Sequence, residues 1–483
     1  MKLNDSALFR QHCYIDGRWT DAKANETIEV TNPATNERLG TVPKLSQDEV
    51  SEAIDAADRA FPLWKAKTAK QRAAILRKWF DLCMEHQEDL AQILTLEQGK
   101  PLQEARGEIA YGASFIEWFG EEAKRVYGDV IPAHANDRRI IVTKEPVGVV
   151  AAITPWNFPN AMITRKAAAA MAAGCSVIVK PASSTPYSAL ALAELAERAG
   201  VPQGVLNVVT GSASVVGGEL TANPLVRKLS FTGSTEVGKI LLSECAKTVK
   251  KVSMELGGNA PFIIFEDADL DQAVAGVMAS KFRNTGQTCV CANRIFVHDK
   301  VYDDFADRLA TAVSAQKVGN GLEEGVALGP LINPAAVEKV EQHIEDAKAK
   351  GASVHLGGQR HALQGNFFQP TILTNVSPDS LLMHDETFGP VAPLLRFSDE
   401  NDVIRQANDT SLGLASYFYT RDVGRVWRVA EALECGIVGI NEGIISSELA
   451  PFGGVKESGI GREGSKYGID DYIEIKYLCM GGL

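Results

Sequence analysis

Apolar positions change their spacing along the chain, and the change marks out regions of different secondary structure. Between residues 14 and 42, short strand-like runs are separated by the turn pairs Asp16-Gly17 and Asn32-Pro33. From Ser46 to Tyr127 the apolar residues follow helical spacing, and Ser46-Gln-Asp-Glu49 predicts a capped helix start. The N-terminal quarter is therefore predicted to contain short strands followed by helices.

From Pro146 onward, short apolar runs alternate with helical stretches, which predicts repeated β-α units and a parallel sheet. The predicted strands are Val147–Ile153, Ser176–Val179, Val205–Val208 and Lys228–Phe231. The predicted helices are Ala161–Ala173, Tyr187–Ala199 and Ser214–Thr221. An open sheet of this kind binds ligands at the carboxyl ends of its strands.

A second alternating block begins near Ala260. Its predicted strands are Phe262–Phe265 and Arg294–Val297, and its predicted helices are Leu270–Phe282 and Ala335–Lys350. Two further segments, Arg138–Lys144 and Asp471–Met480, alternate like exposed strands and belong to neither block. Strands of this kind often pair with another subunit, but they are equally compatible with ordinary edges of the same domain.

Composition limits the class of protein. The 483 residues suit two or three domains, and a net charge of −12 spread along the chain argues against nucleic acid as the main partner. No apolar run is long enough for a membrane span, and the N-terminal residues lack a signal-peptide pattern, so a cytoplasmic protein is expected. The eight cysteines are scattered, without the spacing of a disulfide scaffold or a metal site, so we expect no bound metal.

Two residues beside turn glycines suggest covalent catalysis. Cys289 lies in Gly286-Gln-Thr-Cys289, and Glu255 lies in Glu255-Leu-Gly-Gly258. A thiolate attacks an aldehyde carbon well, and a carboxylate can then deprotonate the water that releases the acyl group. Taken alone, however, a cysteine is more often a buried packing residue and a glutamate a surface charge.

A glycine turn suggests a nucleotide site. The strand ending at Phe231 runs into Thr232-Gly-Ser-Thr-Glu-Val-Gly238 and a helix, where backbone amides can face a pyrophosphate. Another strand ends at Lys180, with Ser183 just beyond. Serine and lysine tolerate a ribose 2′-phosphate, whereas an acidic residue would repel it, so NADP is favoured over NAD. Whether NAD is also accepted stays open.

Several motifs together resemble the aldehyde dehydrogenase superfamily, and the match runs nearly end to end. They are Thr154-Pro-Trp-Asn-Phe-Pro159, Lys180-Pro-Ala-Ser183, Phe231-Thr-Gly-Ser234, Glu255-Leu-Gly-Gly258, Gly286-Gln-Thr-Cys289, Glu386-Thr-Phe-Gly-Pro390 and Pro451-Phe-Gly-Gly454. The resemblance implies an α/β fold with a Rossmann-type cofactor domain (residues 1–125 and 147–257) and an α/β catalytic domain (258–470). It also implies a small β arm for oligomerisation (126–146 and 471–483), and hence a homo-oligomer, a dimer or a tetramer.

The resemblance also implies roles for single residues. Cys289 is the expected nucleophile and Glu255 the expected base for hydrolysis of the thioester. The Asn157 side-chain amide and the Cys289 N–H are expected to stabilise the oxyanion. Glu386 is expected to hold the nicotinamide ribose, and Trp156, Gly233, Ser234 and Leu256 are expected to line the cofactor channel. Read singly, Asn157 could instead be only an N-cap, and Glu386 only a surface charge.

The expected substrate is a semialdehyde. Arg165 and Arg283 flank the predicted site, and two guanidinium groups there could bind a substrate carboxylate. Resemblance to semialdehyde-oxidising relatives adds Ser446 and implies succinate semialdehyde. Glutarate semialdehyde, which is one methylene longer, and a broader range of aldehydes remain alternatives.

Three further hypotheses follow from the same residues. Cys291 could form a reversible disulfide with Cys289, although simple packing of Cys291 is an equal alternative. The chain could be a catalytically silent binding protein, which Cys289, Glu255 and Asn157 argue against. It could also pass the thioester to coenzyme A, but Glu255 favours hydrolysis.

Overall fold

Short hairpins and four helices form the N-terminal quarter of the chain, in a computed structural model that describes residues 3–483. The elements are β1 (Cys13–Ile15), β2 (Arg18–Thr20), β3 (Thr27–Thr31), β4 (Arg38–Pro43), α1 (Gln47–Lys65), α2 (Ala69–Glu85), α3 (Gln87–Gln98) and α4 (Leu102–Glu122). Both predicted turn pairs lie in hairpins. Ser46 caps α1 as predicted, because its side chain accepts from the Glu49 N–H while the Glu49 carboxylate accepts from the Ser46 N–H.

The middle of the chain alternates strand and helix. Its elements are β5 (Asp129–Ile131), β6 (Arg139–Pro146), β7 (Val149–Ile153), α5 (Ala161–Ala173), β8 (Ser176–Lys180), α6 (Tyr187–Ala199), β9 (Leu206–Val208), α7 (Ala213–Ala222), β10 (Val226–Thr232), α8 (Thr235–Ala246) and β11 (Lys251–Glu255). The predicted bounds of α5 and α6 are confirmed, and the other predicted bounds differ by one or two residues.

The second alternating block follows. Its elements are β12 (Ala260–Ile264), α9 (Leu270–Val277), β13 (Ala292–His298), α10 (Tyr302–Ser314), α11 (Pro334–Ala349), β14 (Ser353–Leu356), β15 (Thr371–Thr374), α12 (Leu381–His384), β16 (Val391–Phe397), α13 (Glu400–Asn408), β17 (Leu412–Gly413), β18 (Ala415–Tyr419), α14 (Val423–Ala432), β19 (Ile437–Ile440), β20 (Val455–Lys456), β21 (Gly459–Ile460) and β22 (Ile473–Met480). The predicted helix 270–282 is wrong in one respect. The α-helix ends at Val277 and widens into a π-helical turn over Met278–Phe282. Such turns often occur at functional sites.

The first sheet contains five parallel strands in the order β9-β8-β7-β10-β11. β7, the first of them in the chain, has β8 on one side and β10 on the other, so the order of connection reverses between β7 and β10. In open α/β sheets the ligand crevice lies at such a reversal, beyond the carboxyl ends of the strands. The loops at residues 154–160 and 232–234 leave the sheet there, which makes this edge the expected ligand site.

The second sheet has the order β14-β15-β16-β13-β12-β18-β19 and is parallel except for β14. Buried apolar side chains cover both faces of each sheet, as parallel sheets require. The Rossmann-type and catalytic α/β units expected from the resemblance correspond to these two sheets. β21 lies within the range 258–470 but pairs with β11 at the edge of the first sheet.

The two segments predicted as exposed strands pair with one another. β22 runs antiparallel to β6 from the pair Ile473/Pro146 to the pair Met480/Arg139, and β5 pairs with the other side of β6. The arm formed by β5, β6 and β22 therefore leaves one edge of β22 without a partner strand within residues 3–483. Over that same range, no helix is both long enough and apolar enough to cross a membrane.

Candidate active site

A cavity of about 400 Å³ lies between the carboxyl edge of the first sheet and the loop that precedes β13. Loops after β7, β10 and β11 form one wall, and the Cys289 loop forms the opposite wall. Ten of the predicted site residues line it: Trp156, Asn157, Arg165, Gly233, Ser234, Leu256, Arg283, Cys289, Glu386 and Ser446. The fold thus brings together residues that are up to about 290 positions apart in the chain.

Cys289 lies on a loop with unusual backbone geometry. Asn284 and Thr285 both have left-handed conformations, with φ of 50° and 58°, and Gly286 continues the turn with φ of 77°. A β-branched residue rarely adopts this conformation. Thr285 is held there because its buried hydroxyl donates to the Gly329 carbonyl at 3.1 Å. Strain of this kind is maintained where surrounding contacts fix a functional loop.

Close packing also fixes the backbone of Cys289. A Cβ atom on Gly258 would lie 2.2 Å from the Cys289 carbonyl oxygen, so only glycine allows the two loops to approach this closely. Burial raises the pKa of the Cys289 thiol to about 12, and the negative charge of Glu386 acts in the same direction. The thiol is therefore protonated at neutral pH in the ligand-free site, and its reaction requires a proton acceptor.

Asn157 is held from both sides. Its side-chain Nδ2 donates to the Gln287 carbonyl at 3.0 Å, while its own carbonyl accepts from Lys100 Nζ at 2.8 Å and from Asn284 Nδ2 at 3.0 Å. Helix α5 begins four residues later, and its first N–H groups bond to Glu108 rather than to Asn157. Asn157 is therefore not the N-cap of α5. Its second amide N–H remains available to the cavity.

Lys100 and Glu108 form a buried ion pair beneath this loop, with Lys100 Nζ 2.5 Å from Glu108 Oε2. The ammonium also lies 3.9 Å from the centre of the Phe158 ring. Glu108 Oε1 accepts from the N–H groups of Asn160 and Ala161, at 3.0 and 3.3 Å. Sequence reasoning missed this pair, because a lysine and a glutamate on α4 and its entry are typical of a solvated surface.

Glu255 ends β11 and is only 3% exposed. Neither carboxylate oxygen has a hydrogen-bond partner among the described residues. Burial, reinforced by the charge of Glu463, raises the pKa of Glu255 well above its usual value. Glu255 is not among the residues that line the cavity, whereas the two residues that follow it, Leu256 and Gly257, are. Glu255 is thus neither a solvated turn residue nor an ion-pair partner.

A second buried carboxylate, Glu463, was also missed. It lies between Lys166 and Arg165, with Arg165 Nη2 2.8 Å from its Oε2 and Lys166 Nζ bonded to its Oε1. Burial acts to raise its pKa, but Lys166 and then Arg165 hold the pKa of Glu463 below the usual value. Its position in Gly461-Arg-Glu-Gly464, separated by six residues from the Pro451-Phe-Gly-Gly454 motif, was the only signal in the sequence.

The other half of the cavity has the features of a nucleotide site. Gly233 and Ser234 precede α8 and line the cavity, so the N-terminus of this helix lies at the cavity wall, where a helix can bind an anion. Trp156 packs edge-on against Phe388, with 5.6 Å between the ring centres. Glu386 accepts from the Gly258 N–H at 3.2 Å, and burial raises its pKa to about 7. A carboxylate in the cavity wall with spare acceptor capacity fits the hydroxyl groups of a ribose.

Lys180 and Ser183 lie at the same edge of the sheet but outside the cavity lining. Lys180 ends β8, pairs with Ile153 of β7 and donates from Nζ to the Pro181 carbonyl at 2.9 Å. Burial lowers its pKa to about 8. Ser183 is half-buried.

The two predicted carboxylate-binding arginines differ in their surroundings. Arg165 is 1% exposed, pairs with Glu463 and lies 4.1 Å from the Phe452 ring centre. Arg283 lies 4.9 Å from the Phe158 ring centre and makes no ion pair among the described residues. Arg283 therefore lines the cavity without a direct ion-pair partner, although its charge acts on the carboxylate of Glu104, where it opposes the rise in pKa that burial causes.

Cys291 is buried, and its thiol donates to the Lys281 carbonyl at 3.5 Å. It forms no disulfide with Cys289 in this structure. The Nζ of Lys281 is buried and has no hydrogen-bond partner in the described part of the chain. The redox hypothesis is untested by this arrangement and stays a prediction.

Comparisons with known proteins agree with this geometry. Residues 19–478 match the model of the aldehyde dehydrogenase family. The chain is 68% identical to the NADP-dependent succinate-semialdehyde dehydrogenase GabD of Escherichia coli (strain K12), and 66% identical to a glutarate-semialdehyde dehydrogenase of Pseudomonas aeruginosa. Both alignments cover 100% of each chain.

A solved structure described as an E. coli NADP-dependent enzyme superimposes with a TM-score of 0.99 at 67% identity, covering 99% of this chain and 100% of that one. Sequence, fold and cavity therefore agree, and the chain belongs to the aldehyde dehydrogenase family.

Proposed function

We propose that this protein oxidises succinate semialdehyde to succinate, with NADP as the oxidant. The observation that carries the proposal is the position of Arg283, a guanidinium without a direct ion pair among the described residues, in the wall of the cavity that also contains Cys289. A small aldehyde with a carboxylate at its far end matches that arrangement, because the carboxylate neutralises the guanidinium while the aldehyde carbon meets the thiol.

In the first step, the sulfur of Cys289 bonds to the aldehyde carbon, and the carbonyl oxygen gains negative charge. The free N–H of the Asn157 amide and the Cys289 backbone N–H stabilise that oxyanion. The thiol proton must leave, and Glu255 is a buried carboxylate whose charge acts on Cys289. Its raised pKa favours acceptance of the proton.

When the thiohemiacetal collapses, the carbon loses a hydride and becomes a thioester on Cys289. Bound NADP would supply the hydride acceptor for this step. Glu386 would hold its nicotinamide ribose, and the start of α8 at Ser234 would bind its pyrophosphate. We propose that Lys180 and Ser183 bind the adenosine end of the cofactor, where they favour a ribose 2′-phosphate. NAD remains a possible second cofactor.

Hydrolysis ends the cycle. Glu255 first releases the thiol proton to solvent and then removes a proton from water as that water adds to the thioester carbon. The C–S bond breaks to release succinate and the Cys289 thiolate, which takes up a proton before the next cycle.

Glutarate semialdehyde is the second candidate substrate. It carries the same carboxylate one methylene further from the aldehyde, and a single methylene changes binding by only about 1–3 kcal/mol. The relative from P. aeruginosa, 66% identical over its full length, favours this alternative.

We also propose that the protein is a homo-oligomer located in the cytoplasm. The free edge of β22 carries exposed apolar side chains, including Ile475 (72% exposed) and Tyr477 (59% exposed). An unpaired apolar strand of this length is prone to pair with another chain. Light scattering on the purified protein measures the subunit number, and a monomer would contradict the proposal.

The activity is tested by the appearance of reduced cofactor with succinate semialdehyde and NADP. Parallel reactions use NAD, glutarate semialdehyde and added coenzyme A, and Cys289→Ser is the control. Activity that depends on Cys289 and is highest with succinate semialdehyde and NADP is expected. An active protein that prefers aldehydes without a carboxylate would overturn the proposed substrate.

A further inference from the structure

Tyr111 lies on α4 and lines the same cavity as Cys289, Arg283 and Ser446. Its hydroxyl oxygen is buried and has no hydrogen-bond partner among the described residues. A buried hydroxyl without a partner is unfavourable, and in native proteins it usually marks a group that awaits a ligand or water. Nothing in the mechanism above uses it.

The surroundings of Tyr111 connect it to the carboxylate end of the cavity. Its ring packs edge-on against Phe115 at 5.0 Å, and the guanidinium of Arg165 lies 5.5 Å from the centre of the same Phe115 ring. Burial raises the pKa of Tyr111, while the charges of Arg165 and Arg283 act to lower it. The hydroxyl therefore lies within the electrostatic influence of both arginines.

The backbone of Tyr111 is tied to the loop that carries Ser446. The Ser114 hydroxyl donates to the Tyr111 carbonyl at 2.8 Å and lies 3.2 Å from the Glu448 carboxylate, which also accepts from Ser447. These hydrogen bonds connect the backbone of α4 at Tyr111 to the loop that carries Ser446. Tyr111 and Ser446 both line the cavity.

The two arginines at this end are paired differently. Arg165 is directly paired with Glu463, whereas Arg283 makes no direct ion pair among the described residues and the more distant Glu104 offsets its charge. The cavity therefore offers one guanidinium without a direct ion pair and one unsatisfied phenolic hydroxyl. A carboxylate has two oxygens with several acceptor sites, so it can satisfy both donors at once.

We propose that the Tyr111 hydroxyl donates a hydrogen bond to the distal carboxylate of the substrate and thereby helps to select semialdehydes over uncharged aldehydes. Arg283 supplies the charge, and Arg165, already paired, shapes the wall. The inference rests on the proposed function, because it assigns a residue to the recognition of that substrate.

The test compares Tyr111→Phe with the wild-type enzyme on succinate semialdehyde and on butanal, which has the same number of carbons and no carboxylate. Phenylalanine keeps the ring and its packing on Phe115, so folding is preserved. We expect kcat/KM for succinate semialdehyde to fall about tenfold or more, mainly through KM, because a charged acceptor loses its donor. The value for butanal should stay within about twofold, since its tail makes no use of the hydroxyl.

Tyr467→Phe is the matched control, because Tyr467 is 52% exposed and outside the cavity lining. An unchanged preference in Tyr111→Phe, or an equal loss on both aldehydes, would overturn the inference while leaving the proposed function intact. A wild-type enzyme that oxidises butanal as efficiently as succinate semialdehyde would instead contradict the proposed function.

Discussion

The side-chain amide of Asn157 donates a 3.0 Å hydrogen bond to the carbonyl of Gln287, two residues before Cys289. This bond joins the loop after β7 to the loop that carries the thiol. It fixes the orientation of the amide, so that the remaining N–H faces the cavity. The bond therefore couples the two proposed oxyanion donors, the Asn157 amide and the Cys289 N–H. Substitution of the residues that support Asn157 tests this coupling.

Lys100→Met removes the hydrogen bond to the Asn157 carbonyl and leaves Glu108 buried without its partner. Loss of one member of a buried pair is destabilising by about 3–5 kcal/mol. We expect kcat to fall about tenfold or more because Asn157 is displaced. Thermal unfolding and steady-state kinetics measure the two effects.

The double variant Lys100→Met/Glu108→Leu separates the two effects of that prediction. It removes the uncompensated charge and should recover most of the stability, since apolar replacement of a buried pair is often tolerated. The low kcat should persist, because the bond to Asn157 is still absent. A double variant with normal kcat would show that Lys100 acts only on stability.

Glu255→Gln keeps the shape of the side chain but removes the base. We expect a rapid burst of about one equivalent of reduced cofactor per active site, followed by a steady rate at least about 100-fold below wild type. Stopped-flow absorbance measures both phases. Cys289→Ser should give no burst, and an unchanged steady rate in Glu255→Gln would exclude Glu255 as the base for hydrolysis.

Use of NADP should depend on pH through Lys180, whose pKa burial lowers to about 8. Below that pH the ammonium is charged and attracts the 2′-phosphate. Above it the free enzyme loses this charge, so the ratio of kcat/KM for NADP to that for NAD should fall, by up to about tenfold per pH unit. Steady-state kinetics between about pH 6 and pH 10 measure this ratio.

Lys180→Arg is the control for this pH dependence, because a guanidinium keeps its charge throughout the range. The cofactor ratio of this variant should not change with pH. If the ratio falls equally in the variant and the wild type, the titrating group is not Lys180.

Oxidation by peroxide should inactivate the enzyme reversibly if Cys289 and Cys291 form a disulfide. In that reaction two thiols and one peroxide give a disulfide and two waters. Because Cys291 is buried and its thiol is directed to the Lys281 carbonyl, the loop must rearrange first. Activity after peroxide and then dithiothreitol is the measurement, with Cys291→Ala as the comparison. Identical recovery in both proteins would exclude the switch.

Periodic patterns predicted the regular part of the fold well. The bounds of α5 and α6 and the capping box at Ser46 could be read directly, because local spacing and local hydrogen bonds determine them. The end of α9 could not be predicted, because the helical spacing of apolar residues continues through the π-helical turn at Met278–Phe282. The pairing of β6 with β22 joins segments about 330 residues apart, so no local signal reports it.

The sequence by itself determined the chemistry: a thiol, a carboxylate and a glycine turn, each in a recognisable local motif. Only the tertiary structure decided which side chains have an ion-pair partner and which do not. The sequence does not distinguish Arg165 from Arg283, yet in the structure Arg165 pairs directly with Glu463 and Arg283 makes no direct ion pair among the described residues. Lys100, Glu108 and Tyr111 belong to the site only because α4 and the residues that lead into it pack against the cavity. The physical reason is that charge, burial and hydrogen-bond satisfaction depend on neighbours distant in the chain.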